Sequence, residues 1–298
     1  MQMFIYLGAI LLARVVQAVF GKRSSNNIDS IAKTAVFTSY RNTISALLGL
    51  VLILPTFGRL QISSLTVWIS LLSGASLMAV GFCDIYAMKS GTVSLVSIFG
   101  TAGLIIPVLA GAMFFGQPVK LPQIFGICVF FAAAWLLIGS SRSIYKNFSI
   151  KTALLLVGSM LGNGTTMLAQ QLYARYVPNG SVSVFSFISF AFVAVMGIPL
   201  TFLIRRIPSE KDRPVKLNKS LLICGAALAS AVFVINQFAT PLTAMLPPAL
   251  LFTFINGGAT IISTIVAAIL YHEKLSARSV FGVLIGIISM IIIKMFGG

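Results

Sequence analysis

Acidic residues are the scarcest charged residues in this 298-residue chain: 5 Asp and Glu stand against 21 Lys and Arg, and charged residues make up 9% of the sequence. Soluble domains carry about 25% charged residues. So little charge cannot cover a soluble globule of this size, which argues against a soluble enzyme, a nucleic-acid-binding domain and a disordered protein. The cations stand singly between long apolar runs, and the mean hydropathy is +1.03. This pattern is typical of a membrane protein whose loops hold its cations.

Residues suited to metal or redox chemistry are also sparse. The three cysteines, Cys83, Cys128 and Cys224, lie inside apolar runs without a C-x-x-C spacing, so we expect neither disulfides nor a metal site. The one histidine, His272, precedes Glu273, but no second histidine completes an H-E-x-x-H motif. No G-x-x-x-x-G-K-[ST] motif provides an ATP motor. We therefore expect no enzyme activity, no metal and no cofactor.

Long apolar runs, by contrast, fill the chain, since 58% of its residues are hydrophobic. A helix that crosses a membrane needs about 20 mostly apolar residues, and ten runs approach or exceed that length between turn and breaker residues. The predicted fold class is therefore all-α, a polytopic membrane protein with ten transmembrane helices. The predicted spans cover residues 3–20, 34–54, 66–88, 92–115, 122–140, 152–172, 182–204, 220–240, 247–270 and 278–296.

The cations are distributed unevenly over the predicted loops. The loops after spans 1, 3, 5, 7 and 9 hold fifteen of the 21 Lys and Arg, the opposite side holds four, and the remaining two, Arg14 and Arg41, lie within spans. The positive-inside rule then predicts that the odd-numbered loops face the cytoplasm and that both termini lie outside. We expect a multi-pass protein of the cell membrane with no nucleic-acid partner.

A weak internal repeat divides the chain. A shift of 156 residues aligns Phe125-Gly126 with Phe281-Gly282, Gln117 with Glu273, and Gly100-Thr101-Ala102 with Asn256-Gly257-Gly258. Two five-helix repeats, residues 1–141 and 150–298, follow from this alignment. Because five is odd, the second repeat enters the membrane from the opposite side. Inverted repeats are typical of alternating-access transporters, which bind substrate between the repeats near the middle of the membrane.

Three charged residues lie inside the predicted spans: Arg14, Arg41 and Asp84. Such residues are rare and costly in a membrane, so each is a candidate for substrate binding. Two cations and one acid would favour a solute with a carboxylate or another anionic group. Alternatively, the arginines extend to the membrane interface and Asp84 pairs with one of them. Asp84 is also the candidate for proton coupling, because it is the acid well inside a span.

Uncharged polar residues in the spans form a second group of candidates. Amides in spans commonly hydrogen-bond between helices, so a purely structural role is the alternative for each. Asn256 precedes two glycines, which leave room for a ligand, and Pro107 is expected to kink the fourth helix. The further substrate-binding candidates are Gln17, Tyr86, Thr101, Asn163, Gln170, Asn236 and Asn256.

Two segments carry a resemblance to a known family. Tyr271-His272-Glu273-Lys274-Leu275, followed by Val280-Phe281-Gly282, is similar to the short G-E-x-L junction found in each half of the drug/metabolite transporter superfamily, in its EamA-like ten-helix branch. The segment 247–258 resembles a signature of the ninth helix in some bacterial members. The first half departs from the pattern, since Gln117 replaces the usual Glu, and members are usually drawn with both termini inside. The resemblance implies a central cavity lined by helices 1, 3, 4, 6, 8 and 9, with helices 5 and 10 at the periphery.

These patterns together predict a secondary active transporter or exchanger of small metabolites, amino-acid-like anionic or zwitterionic solutes, that works by alternating access. Protons are the candidate coupling ion, the bilayer is the surrounding partner, and the chain is a monomer or a homodimer, since Gly282-x-x-x-Gly286 could pack against another copy. One alternative is a multidrug exporter of cationic compounds in the same superfamily. A second is an intramembrane enzyme, which would need a set of catalytic groups that the spans lack. A structural protein is a third.

Overall fold

The computed structural model describes residues 2–59, 62–89, 93–117, 119–138, 150–270 and 277–296. Within these ranges the chain is helical and contains no strand. The helices are α1 (Gln2–Ser25), α2 (Ile31–Ile53, continued by a 3-10 helix at Leu54–Arg59), α3 (Ser64–Lys89), α4 (Val93–Ala102), α5 (Ile105–Phe114), α6 (Leu121–Ile138), α7 (Ile150–Tyr176), α8 (Val182–Ile204), α9 (Lys219–Met245), α10 (Pro248–Leu270) and α11 (Ala277–Phe296).

Six of these helices are long and apolar enough to cross a membrane: α1, α2, α3, α7, α8 and α9. Shorter apolar stretches occur in α4 to α6, α10 and α11. Large apolar side chains remain exposed on the outside of the bundle, with Leu121 81%, Phe114 73% and Trp68 70% exposed. An apolar surface of this kind suits lipid rather than water. The chain therefore has the character of a helical membrane protein.

Short polar residues start three of the helices. The side chain of Ser30 accepts a hydrogen bond from the Lys33 amide at the start of α2, and Ser181 and Asn218 accept equivalent bonds at the starts of α8 and α9. Such caps satisfy amides that the first helical turn leaves without partners. The local sequence thus fixes where these helices begin.

The predicted fourth span is divided into α4 and α5. The interruption falls at Gly103-Leu104, one turn before Pro107. Proline has no amide hydrogen and its ring crowds the carbonyl four residues earlier, which here belongs to Gly103. The Gly103 carbonyl accepts instead from the Ile106 amide at 3.0 Å, in a 3-10 pattern. The predicted kink is therefore present as a break whose position is set by the proline's effect on Gly103.

This break lies directly against α7. A Cβ atom built on Gly103 would lie 2.7 Å from the Met160 carbonyl oxygen and 2.8 Å from the Gly164 amide nitrogen. A Cβ atom on Gly164 would in turn collide with the Gly103 carbonyl oxygen. The two backbones can approach this closely only because both residues lack a side chain. The stretch that the predicted repeat aligns with Gly100-Thr101-Ala102, Asn256-Gly257-Gly258, lies within the continuous helix α10.

The principal helix contacts pair α2 with α8, α3 with α7, α1 with α9 and α6 with α11. The largest buried apolar cluster joins α1, α6, α7, α9 and α10 with the α4–α5 region, and includes Ile10, Leu104, Phe130 and Leu251. The α6–α11 pair packs beside α10 and α4. Gly286 of α11 faces Ile261 and Ala133 of the same chain, so that part of the Gly282-x-x-x-Gly286 motif is occupied by internal packing.

Two polar loops meet at one end of the bundle. The Glu210 carboxylate, in the loop after α8, accepts hydrogen bonds from the amides of Ile31 (2.8 Å) and Ala32 (3.1 Å) at the start of α2. The Arg213 guanidinium in the same loop donates to the Asp29 carbonyl oxygen at 2.9 Å. A carboxylate at a helix N-terminus is favourable because the free amides there carry partial positive charge. Loops 26–30 and 205–218 are therefore joined at the same end of the bundle.

Candidate functional site

A cavity of about 150 Å³ lies among α1, α2, α3, α7, α9 and α10. Apolar side chains make up much of its wall, including Phe37, Leu77, Met167 and Phe252. An apolar wall with a few polar groups is the usual composition of a small-molecule site. The structure brings seven of the sequence-predicted residues to this wall: Arg14, Gln17, Arg41, Asp84, Asn163, Gln170 and Asn236.

Three predicted residues lie outside this lining. Tyr86 follows Asp84 by two positions on α3, so its side chain is rotated about 200° around the helix from that of Asp84. Thr101 is buried at the end of α4. Its neighbour Gly100, rather than Thr101 itself, comes close to Asn163: a Cβ atom built on Gly100 would lie 3.4 Å from the Asn163 amide nitrogen. Asn256 is buried in α10 and contacts Arg14 rather than the cavity itself. Tyr86 and Thr101 therefore lie outside the cavity lining. Asn256 also lies outside it but binds Arg14, which lines the cavity.

Arg14 is held by amide oxygens on two helices. Its guanidinium donates to Gln17 Oε1 at 2.9 Å, one turn along α1, and to Asn256 Oδ1 at 3.2 Å on α10. The Asn256 amide nitrogen lies 3.8 Å from the Met167 sulfur of α7. The charge of Arg14 is thus retained in the cavity while its orientation is fixed by neutral groups. This arrangement differs from the interface-directed arginine that was the alternative for this position.

Arg41 reaches the same cavity from α2. Its Nε atom is buried without a hydrogen-bond partner among the described residues. Across the described part of the chain, neither Arg41 nor Arg14 approaches the Asp84 carboxylate within the 4.0 Å of an ion pair. The three charges therefore line one cavity without neutralising one another by direct contact. The predicted alternative, in which Asp84 is paired directly with an arginine, does not describe this arrangement.

Asp84 is instead bound by α7. The Ser159 hydroxyl donates to Asp84 Oδ1 at 2.5 Å, and the Asn163 amide donates to the Ser159 carbonyl oxygen at 3.0 Å. Hydrogen bonds to a charged acceptor are short and stronger than neutral ones. Sequence reasoning missed Ser159, although its position one turn before Asn163 on a predicted helix is the pattern that would have indicated it. Residues from both predicted halves thus meet at this acid.

A second polar link joins α7 to α9 at another part of the cavity. Gln170 donates to Asn236 Oδ1 at 2.8 Å, and Asn236 donates to the Val232 carbonyl oxygen at 3.1 Å. Thr243 adds a hydrogen bond to the Gln170 carbonyl oxygen at 3.3 Å. Both amides line the cavity but are engaged with protein groups, which agrees with the interhelical role that was the alternative for them.

The remaining sequence predictions fall at the edge of this region or beyond it. Gln117, at the junction where the family usually has Glu, accepts a hydrogen bond from the Gln171 amide at 3.3 Å. The second junction, residues 271–276, lies outside the described residues. Among the described residues, no group of three His, Cys, Asp or Glu could hold a metal ion. Cys83, Cys128 and Cys224 are unpaired.

Comparison with known protein families and with curated protein sequences finds no match. The chain is similar to a solved crystal structure of a protein, with a TM-score of 0.72 and 13% sequence identity. The match covers 98% of this chain and 96% of that one. At this identity the likeness shows that the two chains share a fold over almost their full length, and nothing about function.

The geometry defines what the cavity can do. Two guanidinium groups and one carboxylate line a space with largely apolar walls, so the cavity carries an excess of positive charge. Charges in such surroundings interact more strongly than they do in water. An apolar cavity of about 150 Å³ accommodates a molecule the size of benzene. The arrangement suits a small solute with an anionic group.

Proposed function

We propose that this chain is a secondary active transporter or exchanger of small anionic or zwitterionic metabolites that works by alternating access. The observation that carries the proposal is the cavity, whose charged lining comes from α1, α2 and α3 on one side and whose polar partners come from α7, α9 and α10 on the other. Transporters built from inverted repeats bind their substrates between the repeats. When the two halves rock against each other, a site that lies between them can be exposed to either side of the membrane.

The helix packing supports the division into two inverted halves, residues 1–141 and 150–298, with ten membrane spans. Exchange of the halves relates α1 to α7, α2 to α8, α3 to α9, α4 and α5 to α10, and α6 to α11. Under this exchange the α3–α7 contact becomes the α9–α1 contact, while the α2–α8 and α6–α11 contacts map onto themselves. A pseudo-twofold arrangement of the helices requires this set of pairs.

The proposed family is the drug/metabolite transporter superfamily in its EamA-like branch, from the sequence resemblance given above. We propose that the protein lies in the cell membrane, with loops 26–30 and 205–218 in the cytoplasm and both termini outside. The charge distribution supports this orientation, and the contact between the two loops requires them to share one side. Protons are the proposed coupling ion, with Asp84 as the group that carries them.

Transport by the purified protein in proteoliposomes tests this function. Vesicles are preloaded with a panel of small amino acids, monocarboxylates and amines, and exchange of each labelled solute is measured with and without an imposed pH gradient. We expect saturable uptake of solutes that carry a carboxylate, and none of amines alone. Arg206→Gln, at an exposed loop residue, is a matched control that removes a cation away from the cavity. Vesicles that carry no member of the panel would contradict the proposal.

The multidrug exporter is the second candidate within this fold. Two observations weigh against it: the cavity holds two cations against one acid, and its volume is that of a small metabolite rather than a drug. Efflux of a lipophilic cation such as ethidium from vesicles would favour it. We propose no enzymatic role: the Ser159 hydroxyl, which donates to Asp84, is not among the residues that line the cavity, so this pair does not present a nucleophile to a bound solute.

A further inference from the structure

The contact between α2 and α3 holds a second feature of the cavity. Thr38 and Arg41 are three residues apart on α2 and therefore share a face of that helix. Both side chains face Gly81 of α3. A Cβ atom built on Gly81 would lie 3.0 Å from Thr38 Cγ2, 3.4 Å from Thr38 Oγ1 and 3.5 Å from Arg41 Nη2. Gly81 and Arg41 line the cavity, and Thr38, which is not part of the lining, packs against Gly81. The missing side chain at Gly81 thus allows the Thr38 hydroxyl and the Arg41 guanidinium to approach the same point of α3 at the edge of the cavity.

Both polar groups have hydrogen bonds to give. Thr38 Oγ1 and Arg41 Nε are buried atoms without a hydrogen-bond partner among the described residues, and Thr38 is 2% exposed. Buried donors are almost always paired, because losing water without replacement is unfavourable. Arg14, by comparison, already donates to two amide oxygens. Arg14 Nε is also buried without a partner among the described residues, but two other donors of that guanidinium are already engaged. Thr38 and Arg41 are therefore the less engaged donors, which a solute can satisfy.

The position of Asp84 limits what that solute can be. It follows Gly81 by three residues on α3, which places the two on one face of the helix, and both line the cavity. An oxyanion in the cavity at Gly81 would meet the Arg41 guanidinium, with the Thr38 hydroxyl next to it. A second negative charge on the same small molecule would lie near the Asp84 carboxylate, and like charges at short range in apolar surroundings repel strongly.

We propose that Thr38, Arg41 and Gly81 form the carboxylate subsite of the cavity and that it selects solutes with a single carboxylate group. This inference rests on the proposed transport function for its purpose, but it makes a separate statement about binding. Arg41 contacts the carboxylate. Arg14 contributes its charge to the cavity while remaining bound to Gln17 and Asn256.

Binding of acetate to the purified full-length protein tests the subsite without any transport step. Acetate replaces chloride at constant ionic strength, and the midpoint of thermal unfolding is followed as acetate rises, with malonate and ethylammonium measured in parallel. Ligands that bind the folded state raise its stability in a saturable manner. We expect a saturable rise with acetate, a much smaller one with malonate at equal concentration, and none with ethylammonium.

Variants assign the effect to the three residues. Arg41→Gln should abolish the acetate response, and Thr38→Val, which removes the hydroxyl at nearly constant shape, should weaken apparent affinity by roughly 3- to 10-fold. Gly81→Ala should weaken it further, because the added Cβ atom would crowd Thr38 and Arg41 and shift their donors. Arg14→Gln should have a smaller effect than Arg41→Gln. Gly8→Ala, at a helical glycine with no atom within 4 Å of the added Cβ, and Arg206→Gln are the matched controls, which should respond as the wild type does.

The outcomes separate the two proposals. The subsite is refuted if wild type shows no acetate response, if malonate binds as well as acetate, or if Arg14→Gln removes the response and Arg41→Gln does not. If Arg41→Gln does not fold, Thr38→Val and Gly81→Ala decide, and wild-type acetate affinity in both refutes the subsite. An acetate response that depends on Arg41, in a protein whose vesicles carry no solute, supports the subsite and contradicts the transport function alone.

Discussion

Replacing Gly164 by alanine tests the close packing of the broken helix against α7. The added Cβ atom would collide with the Gly103 carbonyl oxygen and lie 2.5 Å from Ile106 Cδ1 and 2.9 Å from Ile106 Cβ. Ordinary van der Waals contact begins at 3.4 Å. Ile106 Cδ1 is the end of a side chain and can rotate away, whereas relief of the Ile106 Cβ contact alone requires α5 and α7 to separate by about 0.5 Å. Because the oxygen belongs to the backbone, no side-chain rotation relieves the collision.

The expected free-energy change combines two opposing effects. Overpacking of this kind costs about 1–3 kcal/mol, and a collision with backbone belongs at the upper end of that range. Alanine is the better helix former by about 1 kcal/mol, which offsets part of the cost. We therefore expect Gly164→Ala to lower the free energy of unfolding by about 2 kcal/mol.

Gly8→Ala is the matched control, because Gly8 also lies inside a helix but has no atom within 4 Å of an added Cβ. It should gain about 0.5–1 kcal/mol from helix propensity alone. Equilibrium unfolding of both variants in mixed detergent micelles, followed by circular dichroism, gives the two values. The same change at two helical glycines should thus act in opposite directions, and a Gly164→Ala protein at least as stable as Gly8→Ala would refute the proposed packing.

Three further predictions concern the charged groups and the topology. Asp84→Asn should leave folding intact but make solute uptake in proteoliposomes independent of an imposed pH gradient; pH-driven uptake at the wild-type rate would remove Asp84 from the coupling step. Glu210→Ala should lower the free energy of unfolding by about 1–3 kcal/mol, since it leaves the α2 amides without an acceptor, whereas Glu210→Gln keeps a neutral acceptor and should cost less; equal effects of the two variants would show that the carboxamide does not replace the cap. A cysteine introduced at the exposed residue 209, in a background without the three native cysteines, should resist an impermeant thiol reagent in intact cells and react after permeabilisation, and labelling in intact cells would reverse the proposed orientation.

The helical elements were largely predictable from the chain, for local reasons. Apolar runs of sufficient length produced the long helices, and the capping residues Ser30, Ser181 and Asn218 lie where three of them begin. Pro107 predicted a disturbance in the fourth span. The local sequence did not predict that this disturbance is a complete break in the helix. The break depends on the hydrogen bonds that the Gly103 carbonyl can still accept and on the backbone of α7 beside it.

The candidate site was predictable in composition and less so in arrangement. Placing Arg14, Arg41 and Asp84 inside spans needs only the cost of charge in a membrane. Their partners depend on distant parts of the chain: Ser159 is 75 residues from Asp84, and Asn256 is 242 residues from Arg14. Tyr86 lies outside the cavity lining, because proximity in sequence to Asp84 does not give proximity on a helix face.

The sequence by itself determined that this chain is helical, that it belongs in a membrane and which few charges must be buried, because those properties follow from composition and from the cost of transferring polar groups into lipid. Only the tertiary structure decided that the three charges share one cavity without pairing, that Asp84 takes a hydroxyl from α7, and that Thr38 and Arg41 face the same glycine. These are relations between helices far apart in the chain, and they arise from packing, which no single segment encodes.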